Sequence, residues 1–380
     1  MNRVLFSYAF RPFFLLAGLS GIGFVALWVM SLNGRASLPA GISPIDWHGH
    51  EMIVGFAMAT VAGFVLSAVA TWTGRSAVEG IAVLWLAMCW IAGRVAIFYV
   101  HLLHPFAVIA LDMLFPLSLC FFFAREVIGA RNKRNYKVVA IVVTLAVLNF
   151  TFHTVAANQS LYLLIHTMLL LVALIGGRII PNFTANWLRG QGADRLPANN
   201  QTVDRIAIAL TILVGVAVVA SPSQVLVGSL ALSAAAVHTV RVSRWQSLQT
   251  VSNPLLFILH VAYWWIPIGY AMTGLARLGL FVTPTAALHA LTMGAIGGMV
   301  FAMITRVPLG HTGRALHASR LTAVAYILLT SAVLVRILSP WMAGAYLPMV
   351  NLAAVSWCMA FAIFMWVYWP ILTREPLEPG

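Results

Sequence analysis

The chain has 380 residues, of which 62% are hydrophobic and 8% charged, and its formal net charge is +13. A mean hydropathy of +0.94 excludes an ordinary soluble domain, which needs more polar surface than this sequence offers. Three cysteines without a CxxC spacing exclude a disulfide framework, thiolate zinc sites, thioredoxin chemistry and covalent haem attachment.

Apolar runs of about 18 residues or more recur along the chain, which is the transmembrane signal. They predict an all-α polytopic membrane protein, residues 1–380 as one integral membrane domain with no soluble domain large enough to fold alone. Twelve helices are predicted near 9–32, 49–73, 79–100, 104–127, 137–156, 160–181, 203–220, 223–241, 253–274, 284–307, 320–338 and 345–370. Pro, Gly and Asn mark most of the breaks.

The first helix opens on "FRPFF" with Arg11. The second opens on "WHGHEM", where His48, His50 and Glu51 crowd into the mouth of an apolar run. The third and fourth each hold a charge within the apolar stretch, Arg94 and Asp112, at matching depth, and the two are candidates for an ion pair. His153 ends the fifth helix. The sixth carries His166 near its start and Arg178, in "GGRIIPNF", near its end. The seventh has no histidine, the eighth has His238, and the ninth has His260 among the aromatics of "LHVAYWW". The tenth holds His289 and Arg306, and "HTGR" after it adds His311 and Arg314.

Orientation follows from the basic residues. With both ends inside, 18 of the 22 Lys and Arg, from Arg3 to Arg374, fall on the cytoplasmic side, which leaves Arg35, Arg94, Arg277 and Arg336 outside. This asymmetry is the positive-inside pattern, so the charge needs no nucleic-acid partner. Sliding the second helix onto the tenth by 239 residues pairs His50 with His289, Gly55 with Gly294 and "WTGR" with "HTGR", six identities in 26 positions, against roughly two expected by chance. With His166 on the sixth helix, a histidine recurs once per four helices, which suggests three four-helix units, 1–134, 135–250 and 251–380.

Imidazole within a bilayer is costly unless it is paired or ligates something. A closed bundle can gather neutral imidazoles from several helices around a metal or a haem iron. His48, His50, His166, His289 and His260 are the metal-ligand candidates, while His101, His104 and His317 read as loop-edge residues. Residues two apart on a helix differ by about 200°, so His48 and His50 face opposite sides if both are helical; His48 is otherwise free in the preceding loop. Glu51 has three open readings: a cap for backbone N–H groups, a partner that orients an imidazole, or a proton carrier. The arginines near inner helix ends either snorkel to headgroups or bind an anionic ligand.

"FRPFFLLAG", "WHGHEMIVGFAMATVAGFVLSAVATWTGR", "GGRIIPNFTANWL", "LHVAYWWIPIG" and "LHALTMGAIGGMVFAMITRVPLGHTGR" resemble, in order, the NnrS family. The resemblance implies a twelve-helix bacterial inner-membrane protein of nitric oxide metabolism and nitrosative stress, containing haem and copper. Its motif histidines fall on His48, His50, His260, His289 and His311, and its motif arginines on Arg11, Arg178, Arg306 and Arg314. A looser, architectural likeness is to haem-copper oxidases and respiratory nitric oxide reductases, with three four-helix arcs and histidines on the second, sixth and tenth helices.

The function expected is that of a haem b protein that binds nitric oxide and reduces it to nitrous oxide, with a quinol as electron donor. His50 and His289 are expected to hold haem iron, and His48 and His166 a second metal, copper or iron. Glu51 would tune a ligand or pass protons, and His260 with His311 would serve an inner haem. A non-catalytic haem sensor or scavenger of nitric oxide, and a twelve-helix secondary transporter, are the alternatives.

Overall fold

Twelve helices long and apolar enough to cross a membrane make up most of the computed structural model, which describes residues 4–377. In chain order they are α1 (Phe10–Leu32), α2 (Pro44–Thr73), α3 (Ile81–Phe98), α4 (Pro105–Gly129), α5 (Lys133–Thr154), α6 (Ala157–Gly190), α7 (Gln201–Ala220), α8 (Gln224–Ser243), α9 (Pro254–Arg277), α10 (Pro284–His311), α11 (Arg320–Trp341) and α12 (Ala343–Thr373). No strand occurs among the described residues. The chain is a multi-pass membrane protein. Its helices satisfy their own backbone hydrogen bonds, which hydrocarbon requires of any spanning segment. Arg3, counted above with the inner basic residues, lies outside the described residues.

All twelve predicted helices form, and the differences lie at their ends. α2 starts at Pro44, not 49, because the Ser43 hydroxyl accepts the Asp46 N–H at 3.1 Å and proline takes the first helical position. α6 continues through Pro181 to Gly190, and α10 through Pro308 to His311. Hydropathy marks the apolar thickness rather than the helix end, and both helices outrun it with polar final turns.

Two stretches are π-helical, Glu51–Ala57 in α2 and Ala290–Gly297 in α10. Each begins on the residue after the histidine paired by the 239-residue offset, His50 and His289. A π-turn inserts an extra residue and re-aims the side chains beside it, and such turns concentrate at functional sites. The faint sequence repeat is therefore matched by a shared backbone feature.

Packing groups the chain into two compact units. The first takes residues to 164, 303–315 and the chain from 361 on; the second takes 165–302 and 316–360. These boundaries differ from those of three successive four-helix units. In the first unit α1 lies against α2, and Phe13 of α1 stacks on Phe115 of α4 at 5.7 Å. Phe56 meets Phe361 edge-on at 5.4 Å. In the second, α8 packs on both α7 and α9, and Trp245 sits edge-on to Tyr263 at 4.5 Å.

Candidate functional site

The first unit buries a charged cluster drawn from four helices. His50 and Asp112 are fully buried, Glu51 is 1% exposed, and Asn149 is fully buried. The Nδ1–H of His50 donates to Glu51 Oε1 at 3.1 Å, while its Nε2 faces Asp112 Oδ2 at 3.2 Å and Asn149 Oδ1 at 3.0 Å. Nε2 of His153 reaches the same Asp112 oxygen at 2.9 Å, and the Asn149 amide donates to it at 2.7 Å. Arg94 bridges the two acids, with Nη1 on Glu51 at 2.5 Å and Nη2 on Asp112 Oδ1. Burying charge is tolerable only with such pairing. Gly55, one turn past Glu51, makes room: a Cβ there would stand 2.6 Å from the Phe24 ring and 3.2 Å from Glu51 Oε2.

The structure settles the H-x-H geometry. His48 lies inside α2, so both histidines are helical. The His48 ring stacks on Trp28 of α1 at 4.5 Å, and the His50 ring on Phe152 of α5 at 4.6 Å. The two imidazoles serve different neighbourhoods, as a two-residue spacing requires. The capping reading of Glu51 is corrected: α2 begins earlier, Ser43 caps it, and the Glu51 carboxylate goes to His50 and Arg94.

Elsewhere in this unit, Arg11 is fully buried and its Nη1 donates to the carbonyls of Leu372 at 2.9 Å and Arg374 at 2.7 Å. Its Nε and Nη2 are buried without a hydrogen-bond partner. The neighbouring charge is another cation, Arg314, whose Nη1 donates to Thr312 O at 3.4 Å. The exposed His311 ring lies 5.5 Å from that of Phe10 and 6.1 Å from that of Tyr8. Arg306, half-buried, is also in this unit.

The second unit holds His166, His238, His260, His289 and Arg178. Tyr270 donates to His166 Nδ1 at 3.4 Å, and the two rings stack. Tyr263 donates to His238 Nδ1 at 3.1 Å, and His238 Nε2–H donates to Thr211 at 3.0 Å. Arg241 closes the line: it donates to the Tyr263 oxygen at 2.6 Å, to Ala173 O at 2.8 Å and to Asp204 Oδ1 at 2.7 Å. Tyr263→Phe removes the phenol that joins His238 to Arg241. It is expected to lower stability by about 1–2 kcal/mol, a large value for one intramembrane hydrogen-bonding group, because one partner is charged. An unchanged thermal midpoint in detergent would show that the phenol contributes nothing.

His260 is held at both nitrogens, Nε2–H donating to Thr184 at 2.9 Å and Nδ1 accepting from Ser247 at 3.0 Å. In this arrangement it is a satisfied core residue. The Nδ1–H of His289 donates to the Thr285 carbonyl one turn back at 2.8 Å. Arg178 is half-buried on α6. Of the charged cluster, Asn149 is not among the candidates from sequence, and His153 is named there without a partner. Their signal was present, two polar residues at i and i+4 on one face of an apolar helix.

The NnrS family model, described as NnrS protein, matches residues 4–375. The chain belongs to the NnrS family. Membership fits a haem- and copper-containing membrane protein connected with nitric oxide. A search of curated proteins finds no match. Within this NnrS chain, two observations, one in each unit, each fit a haem group of its own. His289 is fixed as the tautomer whose Nε2 carries the lone pair, the usual state of a ligating imidazole oriented through its other nitrogen. Arg11 offers buried, unpartnered N–H groups with no acid beside them, which suits a carboxylate such as a propionate. His50 and His260, with a protein oxygen facing each ring nitrogen, fit a haem-iron ligand less well than His289.

Proposed function

We propose that this NnrS-family protein is a haem b protein of the bacterial inner membrane, with both termini in the cytoplasm, that binds nitric oxide and reduces it. Two nitric oxide molecules, two electrons and two protons give nitrous oxide and water, and a quinol is the proposed electron source. The observation that carries the haem reading is His289, whose Nδ1–H is tied to its own helix so that Nε2 is the ligating atom. A haem with an open coordination position supplies nitric oxide binding and electron transfer.

The chain's own residues supply the rest. Arg11, with Arg314 nearby, holds an anionic group in the first unit. Glu51 and His50 hold a proton between Oε1 and Nδ1 at 3.1 Å. Glu51 and Asp112 against Arg94 leave one uncompensated negative charge, which a cation held by the neighbouring imidazoles offsets in the apolar interior. Nitric oxide is small and apolar and needs no polar channel to reach such a site through lipid.

Detergent-purified protein expressed with ample haem is expected to show a Soret band. His289→Ala should lose it, while His101→Ala, at a loop edge, should keep it. A colourless wild type would overturn the haem reading and favour a transporter. Nitrous oxide formed by repeated turnover with reduced quinol supports reduction. Nitric oxide uptake that stops at one equivalent of haem would mean sensing or scavenging instead.

A further inference from the structure

We infer that His50, His153 and Asp112 form a binding site for one divalent first-row transition ion of borderline character, such as iron(II), copper(II) or zinc, separate from any haem.

The argument begins with Asp112 Oδ2. Three nitrogens converge on this one oxygen: His50 Nε2 at 3.2 Å, His153 Nε2 at 2.9 Å and Asn149 Nδ2 at 2.7 Å. A carboxylate oxygen has about two lone-pair sites, so three converging nitrogens crowd it. An ion among them relieves the crowding when both imidazoles are neutral and carry their proton on Nδ1, as His50 does toward Glu51, because each Nε2 then presents a lone pair to the ion. The spacing agrees. Two ligand atoms each about 2.1 Å from a metal, at angles between square and tetrahedral, stand about 3.0–3.4 Å apart. The two imidazole nitrogens lie 3.2 and 2.9 Å from the carboxylate oxygen, and all three candidate ligand atoms lie within 4.8 Å of one another.

The surroundings are those of a supported site. His50 turns its other nitrogen to Glu51, and Glu51 is itself held by Arg94, so the carboxylate fixes the tautomer and the ring plane of a ligand. Asp112 divides its oxygens, Oδ1 for Arg94 and Oδ2 for the ion. The Asn149 amide oxygen, 3.0 Å from His50 Nε2, is a further neutral donor. Two imidazoles and one carboxylate leave coordination positions open. They suit borderline ions, whereas calcium wants six or more oxygens and a soft ion wants thiolates. No cysteine is in the group. The ligands come from α2, α4 and α5, one each.

The inference stands whether or not the protein reduces nitric oxide, and its test uses neither nitric oxide nor electrons. Wild-type protein is expressed in media supplemented in turn with iron, copper and zinc and purified without chelator. Its metal content is read by mass spectrometry, with haem iron counted separately. A stoichiometric ion beyond haem iron is expected. His153→Ala and Asp112→Asn should each lose it, and Glu51→Gln should weaken it about 10–100-fold, the usual effect of an outer-sphere partner. Cobalt(II) added to the metal-free protein should give visible d–d bands that His153→Asn abolishes while the protein stays monodisperse. Absence of non-haem metal under all three supplements, or full metal content in both monodisperse ligand variants, would overturn the site.

Discussion

Replacing Arg94 by leucine is expected to cost the first unit about 3–5 kcal/mol, the usual penalty for removing one partner of a buried ion pair. The reason is the sharing. One guanidinium reaches two carboxylates on different helices, Glu51 on α2 and Asp112 on α4, with its own side chain 9% exposed and theirs 2% and 0%. Without it two anions stand in an apolar interior with only imidazoles to offset them. Arg94→Lys should recover little, since a point-like ammonium cannot span both acids as a planar fork does. Glu51→Gln combined with Arg94→Leu should recover part of the loss, because one of the stranded charges is gone. The measurement is a double-mutant cycle on reversible unfolding in detergent. Additive losses in the double variant would mean that Arg94 and Glu51 do not stabilise each other.

This pair shows what the sequence can disclose. Arg94 and Asp112 are isolated charges in otherwise apolar helices at matching depth, and an unpaired charge there is prohibitive, so their meeting was legible. The helix count was legible for the same reason, since hydrocarbon thickness fixes the length of an apolar run. The start of α2 was not: Ser43 and Pro44 sit in a polar, proline-bearing stretch that reads equally as loop, and this displaced Glu51 to a false first turn. Nor were the π-helical turns, because "EMIVGFA" and "ALTMGAIG" have ordinary helical composition. The clamp on His260 comes from Thr184 on α6 and Ser247 in the segment before α9, and no periodicity connects those positions. His153 needed the packing of α5 against α4 to acquire its meaning.

Gly177→Ala is expected to destabilise the second unit by about 3 kcal/mol, near the upper end for overpacking a well-filled interior. A Cβ on Gly177 would overlap the Arg241 guanidinium, standing 2.6 Å from its central carbon. The guanidinium has nowhere to go, because it is 4% exposed and bonded to Asp204 of α7, Ala173 of α6 and Tyr263 of α9. Moving it strands a cation and unlinks four helices, since Arg241 itself belongs to α8. The neighbouring Gly176 is the control. Its Cβ would meet the Tyr263 ring at 3.3 Å, a contact that a slight shift relieves. There the gain in helix propensity of about 1 kcal/mol offsets the crowding and Gly176→Ala should be nearly neutral. The explanation also sets the outcome in an Arg241→Leu background. With the guanidinium gone, Gly177→Ala should lose most of its cost in thermal unfolding. If it costs the same there, the second glycine of "GGR" is required by something other than Arg241.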